Sequence, residues 1–162
     1  MPNNPTPLPG TVQSAPPGLQ GFDVNDTISA ADAAKFKVAG YDFCCRYIPR
    51  GAGLSSAPSL TNVEAADILN AGLALMAVQH VAPDGWSPNT NLGTVYGSFA
   101  ANYCSQKVGL PPGMNIWCDL EGIATGTPAA DVIAYCQAWY IAVHTAGYVP
   151  GIYVGYDVIL RF

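Results

Sequence analysis

Met114-Asn115-Ile116-Trp117-Cys118-Asp119-Leu120-Glu121 is an apolar run closed by two carboxylates one residue apart. Near-continuous apolarity marks a strand covered on both faces, as in a parallel sheet, rather than a strand with one wet face. Residues i and i+2 of a strand project to the same side, so Asp119 and Glu121 share a face at the strand's end. Placing two like charges together costs repulsion and desolvation, which a fold accepts more readily where a site needs a proton donor beside a carboxylate. That is the arrangement of a glycosidase. Two solvated acids in an ordinary loop have the same spacing, and the pair alone does not choose between the two readings.

The run is one of five similar units. Upstream, Gly21-Phe22-Asp23-Val24 reads as a first strand, and residues 29–39 as a helix closed by Gly40. Residues 41–48, rich in aromatic and small apolar side chains, form a second strand that stops at Pro49. Thr61 and Glu64 have the spacing of a capping box, opening a helix to Asn70 with Gly72 behind it. Residues 73–81 are a third strand, and a helix over 94–108 leads to Leu110-Pro111-Pro112-Gly113 and the acid-bearing strand. Downstream, Thr127 as cap and Pro128 at the first helical position open an amphipathic helix ended by Gly147, and residues 149–154 are a fifth strand. Alternating strands and helices with apolar strands predict an α/β fold with a parallel sheet, either doubly wound or a barrel.

At 162 residues the chain is the size of one domain. Residues 1–20 hold six prolines and no charge, so they read as an extended leader or linker and not as a secretory signal; the domain spans 21–162. No stretch has the length of a membrane span. Half the residues are hydrophobic and only 10% charged, which leaves a sparsely charged surface and self-association open. A net charge of −5 without any Lys/Arg cluster argues against nucleic acid or an anionic membrane as partner. The five cysteines lack the spacings of a zinc site or a disulfide framework and read mainly as buried thiols, although Cys104 and Cys136 sit on successive helices.

Parallel α/β folds place ligands at the carboxyl ends of their strands. Asp23, Arg46 and Tyr47, Gln79 and His80, Asp119 and Glu121, and Tyr156 with Asp157 all fall at such ends. Four of the eleven acids, Asp23, Asp119, Glu121 and Asp157, thus converge on one rim.

The same residues carry a family resemblance. Gly21-Phe22-Asp23, Cys45-Arg46-Tyr47, Leu60-Thr61 with Glu64, Ala71-Gly72-Leu73 leading to Gln79, Asp119-Leu120-Glu121, and Gly147-Tyr148-Val149-Pro150-Gly151-Ile152-Tyr153 together resemble the glycoside-hydrolase-like domain of unknown function. That domain is a (β/α)8 TIM-type barrel related to the family 25 lysozymes, and the resemblance spans about Gly21 to Asp157. It implies Glu121 as general acid on a bond of peptidoglycan, Asp119 as charge stabiliser or orienter of an acetamido group, and Asp23 as a further site carboxylate. It implies no cofactor, and a place of action outside the cell or at its wall. Trp117, on the same strand face, would supply the apolar wall that raises the Glu121 pKa. A full barrel needs eight strands; five are read before Arg161-Phe162, so a barrel truncated to about five strands is expected, with sheet edges to be covered or paired.

Each remaining candidate has a plainer reading. Arg46 either holds substrate or neutralises buried acids such as Asp23 or Asp119. Gln79 ends a strand at the same rim as a substrate contact. His80, with no second histidine beside it, fits a satisfied lone histidine better than a base, and metal binding by Asp23, Asp119, Glu121 and His80 lacks the His-x-x-x-His spacing of a deacetylase. Trp86 and Tyr96 either stack on a sugar or pack their loop, Tyr153 reads as core, and Tyr156 as the better rim contact. Tyr135, Trp139 and Tyr140 read as packing of a helix on the sheet. Three functions follow: a lysozyme-type glycosidase, a carbohydrate-binding wall module without catalysis, or a structural domain whose acids only neutralise Arg46. Hydrolysis requires all three acids to open onto a groove and a binding module requires a groove with aromatics, whereas the structural reading predicts ion-paired acids and no cleft.

Overall fold

The structure, a computed structural model, describes residues 4–54 and 57–155. Its elements alternate: β1 (Gly21–Val24), α1 (Ala30–Val38), β2 (Phe43–Ile48), α2 (Asn62–Asn70), β3 (Ala74–Gln79), α3 (Thr90–Tyr103), β4 (Asn115–Asp119), α4 (Ala129–Thr145) and β5 (Val149–Tyr153). A π-helical turn, Cys104–Val108, prolongs α3. The strands form one parallel sheet in the order β1-β2-β3-β4-β5. A doubly wound sheet reverses its order at a switch point, and none of the described strands does so. The fold is mixed α/β and consistent with a truncated barrel.

Local chemistry sets most boundaries as expected. Ser29 accepts from the Asp32 amide and Thr61 from the Glu64 amide, capping α1 and α2. Two details differ. Asn89 accepts from the Leu92 amide, so α3 starts at Thr90 and not Thr94. Before α4, Pro128 takes the cap position without a side-chain bond, while the Thr127 hydroxyl donates to the Ala124 carbonyl at 2.8 Å. Thr127 therefore closes the preceding turn instead of capping the helix.

Strand register divides the side chains between two faces. Phe22, Cys44, Arg46, Leu75, Ala77, Gln79, Ile116 and Cys118 share the face covered by helices. Phe22 stacks on Phe36 of α1, and Cys118 lies 3.8 Å from the Tyr135 hydroxyl of α4. The other face carries Asp23, Cys45, Tyr47, Val78, Trp117, Asp119, Gly151 and Tyr153. Trp117 lies over Gly151, where a side chain would collide with its ring.

On the helix-covered face Arg46 is fully buried and ion-paired with Glu64 of α2 at 2.6 Å, the two side chains being 0% and 3% exposed. The guanidinium also donates to the Val24 and Pro58 carbonyls at 2.8 and 3.2 Å, and Glu64 accepts from the Ile28 amide at 2.8 Å. Glu64 therefore spends its carboxylate on Arg46 and Ile28, leaving only the Thr61 half of the capping box. Nearby, Gln79 donates to the Tyr96 carbonyl at 2.8 Å and accepts from the Trp139 indole at 2.7 Å, tying β3 to α3 and α4.

Helices α3 and α4 pack backbone to backbone. A side chain at Gly93 would strike the Tyr135 carbonyl, and one at Gly97 would come within 2.7 Å of the Trp139 carbonyl. Tyr135 and Trp139 are buried as expected, but Tyr140 is 51% exposed. It lines an apolar groove of about 600 Å³ with Cys136, Pro150 and Ile152, beside the β5 edge. All five cysteines are free thiols. The proline-rich start lies against the domain: the Thr6 carbonyl accepts from Asn62 at 2.8 Å, and Leu8 packs on the core.

Because removing one partner of a buried pair leaves the other charge uncompensated, Arg46→Met is expected to cost about 3–5 kcal/mol. Adding Glu64→Leu should restore part of that loss, and urea denaturation midpoints of the two variants check both expectations.

Candidate functional site

Three acids come together on the face opposite helices α1 to α4, at the carboxyl ends of their strands. Asp23, in β1, accepts from the Tyr47 hydroxyl of β2 at 3.4 Å. Asp119 is the last residue of β4 and stands opposite Tyr153 of β5. Glu121 follows two residues on, and the intervening Leu120 amide still bonds to the Tyr153 carbonyl at 2.9 Å, which extends the strand geometry past its formal end. Gly155 lies against the Glu121 carboxylate, whose Oε1 would be 2.9 Å from a side chain there. Tyr153 joins Tyr47 by a hydrogen bond and feels the charges of Asp23, Glu121 and Asp119, which together with burial raise its pKa.

The acids differ in environment. Asp23 is exposed, Glu121 half-buried, and Asp119 only 6% exposed. Burial, then the neighbouring Glu121 carboxylate and, more weakly, Asp23 push the Asp119 pKa up to about 7, against the opposing hydrogen bond from the Val81 amide. Its Oδ1 atom is buried and meets no partner. Among the described residues none of the three acids forms an ion pair. His80 stacks on Tyr47 with ring centres 4.5 Å apart; burial, then Arg46 and Arg50, lower its pKa, so it brings no cation to the acids at neutral pH. No group of three His, Cys, Asp or Glu side chains among the described residues is arranged to hold a metal ion.

Three expected substrate contacts lie elsewhere or do other work. Arg46 and Gln79 point to the helix side of the sheet, where their polar groups are engaged as above, because alternation along β2 and β3 puts them opposite to Tyr47 and His80. Arg46 therefore neutralises Glu64 and neither Asp23 nor Asp119. The Trp86 indole is edge-on to Tyr135 and donates to the Glu121 carbonyl at 2.7 Å. Its backbone pairs with Ile123, and the Gly85 amide bonds to the Gly122 carbonyl at 2.7 Å. The loop before α3 is thus stapled to the loop that carries Glu121. Tyr156 and Asp157 lie outside the described residues. Tyr47, expected at a strand end, and Tyr153, expected in the core, both line the site; Tyr153 keeps two-residue spacing with Gly151, the residue opposite Trp117.

Two outcomes follow. The folded-state pKa of Asp119 stands above the carboxylate's unfolded value, so folding holds its proton and stability falls as pH rises from about 4 to about 7, then levels off. Asp119→Asn removes that penalty: its urea midpoint should match wild type near pH 4.5 and exceed it at pH 8, by at most a few kcal/mol at ~1.4 kcal/mol per pKa unit. Trp86→Phe deletes the bond to Glu121, so the Gly85 and Ala124 amides should exchange about fivefold faster, as expected for loss of ~1 kcal/mol.

Comparison with known proteins agrees with this architecture. Two crystal structures of the Mycobacterium tuberculosis Tat-secreted protein Rv2525c, one with HEPES and one with L-tartrate, superpose with TM-scores of 0.63 and 0.64 at 16% identity. The match covers 88% of this chain and 71% and 70% of theirs, and at that identity it speaks for the fold alone. No curated protein matches the chain. The family model of the Rv2525c-like, glycoside hydrolase-like domain matches residues 34–161, most of the chain, and the protein belongs to that family.

Proposed function

We propose that this domain acts on a cell-wall polysaccharide, with peptidoglycan as the first candidate, by glycosidic hydrolysis at Asp23, Asp119 and Glu121. The observation that carries the reading is the gathering of three unpaired carboxylates on one face, while the buried Arg46 is engaged by Glu64. Holding like charges together without a counterion costs stability, and acid catalysis is a use that repays it. Glu121 is the more open of the adjacent pair and is the proton donor to the leaving oxygen. Asp119 and Asp23 face the developing positive charge of the sugar ring, and Tyr47 and Tyr153 offer aromatic surface and hydroxyls to its substituents. Asp157 and Tyr156 are proposed to extend the site.

The sequential sheet supports the arc of a (β/α)8 barrel. The relative Rv2525c is Tat-secreted, which supports action outside the cytoplasm here too. No described helix is long and apolar enough to cross a membrane.

Release of reducing ends from purified peptidoglycan and from chitin oligomers, compared with Glu121→Gln, tests the proposal. Turnover should fall roughly 10²–10⁴-fold in the variant, the usual worth of a general acid. Sugar binding without turnover in wild type would instead assign a carbohydrate-binding module, and neither would leave a structural domain.

A further inference from the structure

We propose that the proton of this site is kept at rest on Asp119, the most deeply buried of its three acids. The proposal rests on the glycan-acting reading above and specifies where the proton delivered there is stored. It departs from the roles that the family resemblance implies, in which Glu121 is the protonated group and Asp119 the charged stabiliser.

The argument is one of position. Three carboxylates share one face, and each additional ionised member works against the others, so the group worst placed to carry charge keeps a proton. Asp119 is that group: it is 6% exposed, whereas Glu121 is half-buried and Asp23 exposed. Its Oδ1 is shut away from solvent and meets no partner among the described residues, so nothing there compensates a charge.

The surroundings supply no cation to offset ionisation. From β1 comes the Asp23 carboxylate; from β2, the neutral phenol of Tyr47; from β5, the neutral phenol of Tyr153. After β3 stands His80, its Nε2 buried without a partner and its pKa lowered. Arg50 donates to the Val81 carbonyl at 2.6 Å and lies over the Tyr96 ring, and Arg46 is paired with Glu64 on the opposite face. What remains is one hydrogen bond from the Val81 amide, too little to hold a buried carboxylate ionised against Glu121 beside it. The raised pKa of Asp119 agrees with this balance.

In chemical terms Asp119 is the member of the adjacent pair that holds a proton up to about pH 7. Cleavage draws on that proton: it passes from the Asp119 carboxyl to the Glu121 carboxylate and on to the leaving oxygen, and Asp119 is left as the anion facing the sugar.

Carboxyl-detected 13C NMR titration of the full chain, wild type against Asp119→Asn and Glu121→Gln, tests this without requiring turnover or any ligand, so it succeeds or fails separately from the glycosidase reading. Wild type should show a carboxyl resonance with a midpoint near 7 that is lost in Asp119→Asn. In Glu121→Gln it should persist with a lower midpoint, since a like charge has gone. Asparagine is nearly isosteric with the protonated acid, and amide spectra of both variants confirm the fold. Loss of the near-neutral resonance in Glu121→Gln with retention in Asp119→Asn would assign the proton to Glu121 and overturn the proposal, as would the absence of any aspartate or glutamate midpoint above about 5.

Discussion

Arg46 and Glu64 form a buried ion pair beneath the sheet, at 2.6 Å. A guanidinium with no exposed surface must satisfy its donors inside the protein, and it does so on four elements: the end of β1, the loop at Pro58, the start of α2 and, through Glu64, the backbone ahead of α1. Geometry is tightly specified because each partner is a fixed backbone carbonyl or a carboxylate on a capped helix. The pair also keeps Arg46 off the acidic face. Had the alternation of β2 been shifted by one residue, Arg46 would have pointed at Asp23 and the acids would have been neutralised. One register thus fixes both the strength of the helix layer and the charge of the site.

The site that results is built by subtraction. Its polar groups are an exposed acid, a half-buried acid, a buried acid and two phenols, with the local cations engaged elsewhere. Electrostatics then sort the acids by depth, since desolvation grows faster than the solvent-screened repulsion between them. Equal chemistry in sequence becomes unequal chemistry in space. Membership of a glycoside hydrolase-like family and a fold shared with Rv2525c fix the scaffold, while what such a site does rests on its side chains and not on the fold.

The strand and helix order was legible because the chain punctuates itself: Ser29 and Thr61 cap helices, Gly40, Gly72 and Gly147 end them, and the strands are short apolar runs. The three acids were legible from strand parity and their position at strand ends. Arg46 and Gln79 were not, since both stand at strand ends and only pairing registers show which face they serve. Tyr153 was hidden by the same ambiguity. Trp86 misled for another reason: an aromatic in a long loop gives no sign that its ring nitrogen will bond to a backbone carbonyl 35 positions away. Thr127 carried a capping residue's chemistry but closes a local turn with it.

The glycine seam between α3 and α4 has a mechanical meaning. With backbones in contact at Gly93 and Gly97, the two helices have no cushion of side chains through which to slide. The loops leading into them are stitched at Trp86 and Gly122. Helices and loops therefore form a closed frame, and Glu121 sits on one of its corners. A frame of this kind moves as a plate or not at all, so any molecule reaching the rim meets an acid whose backbone is already in place, and adjustment is left to the rotamer of its side chain.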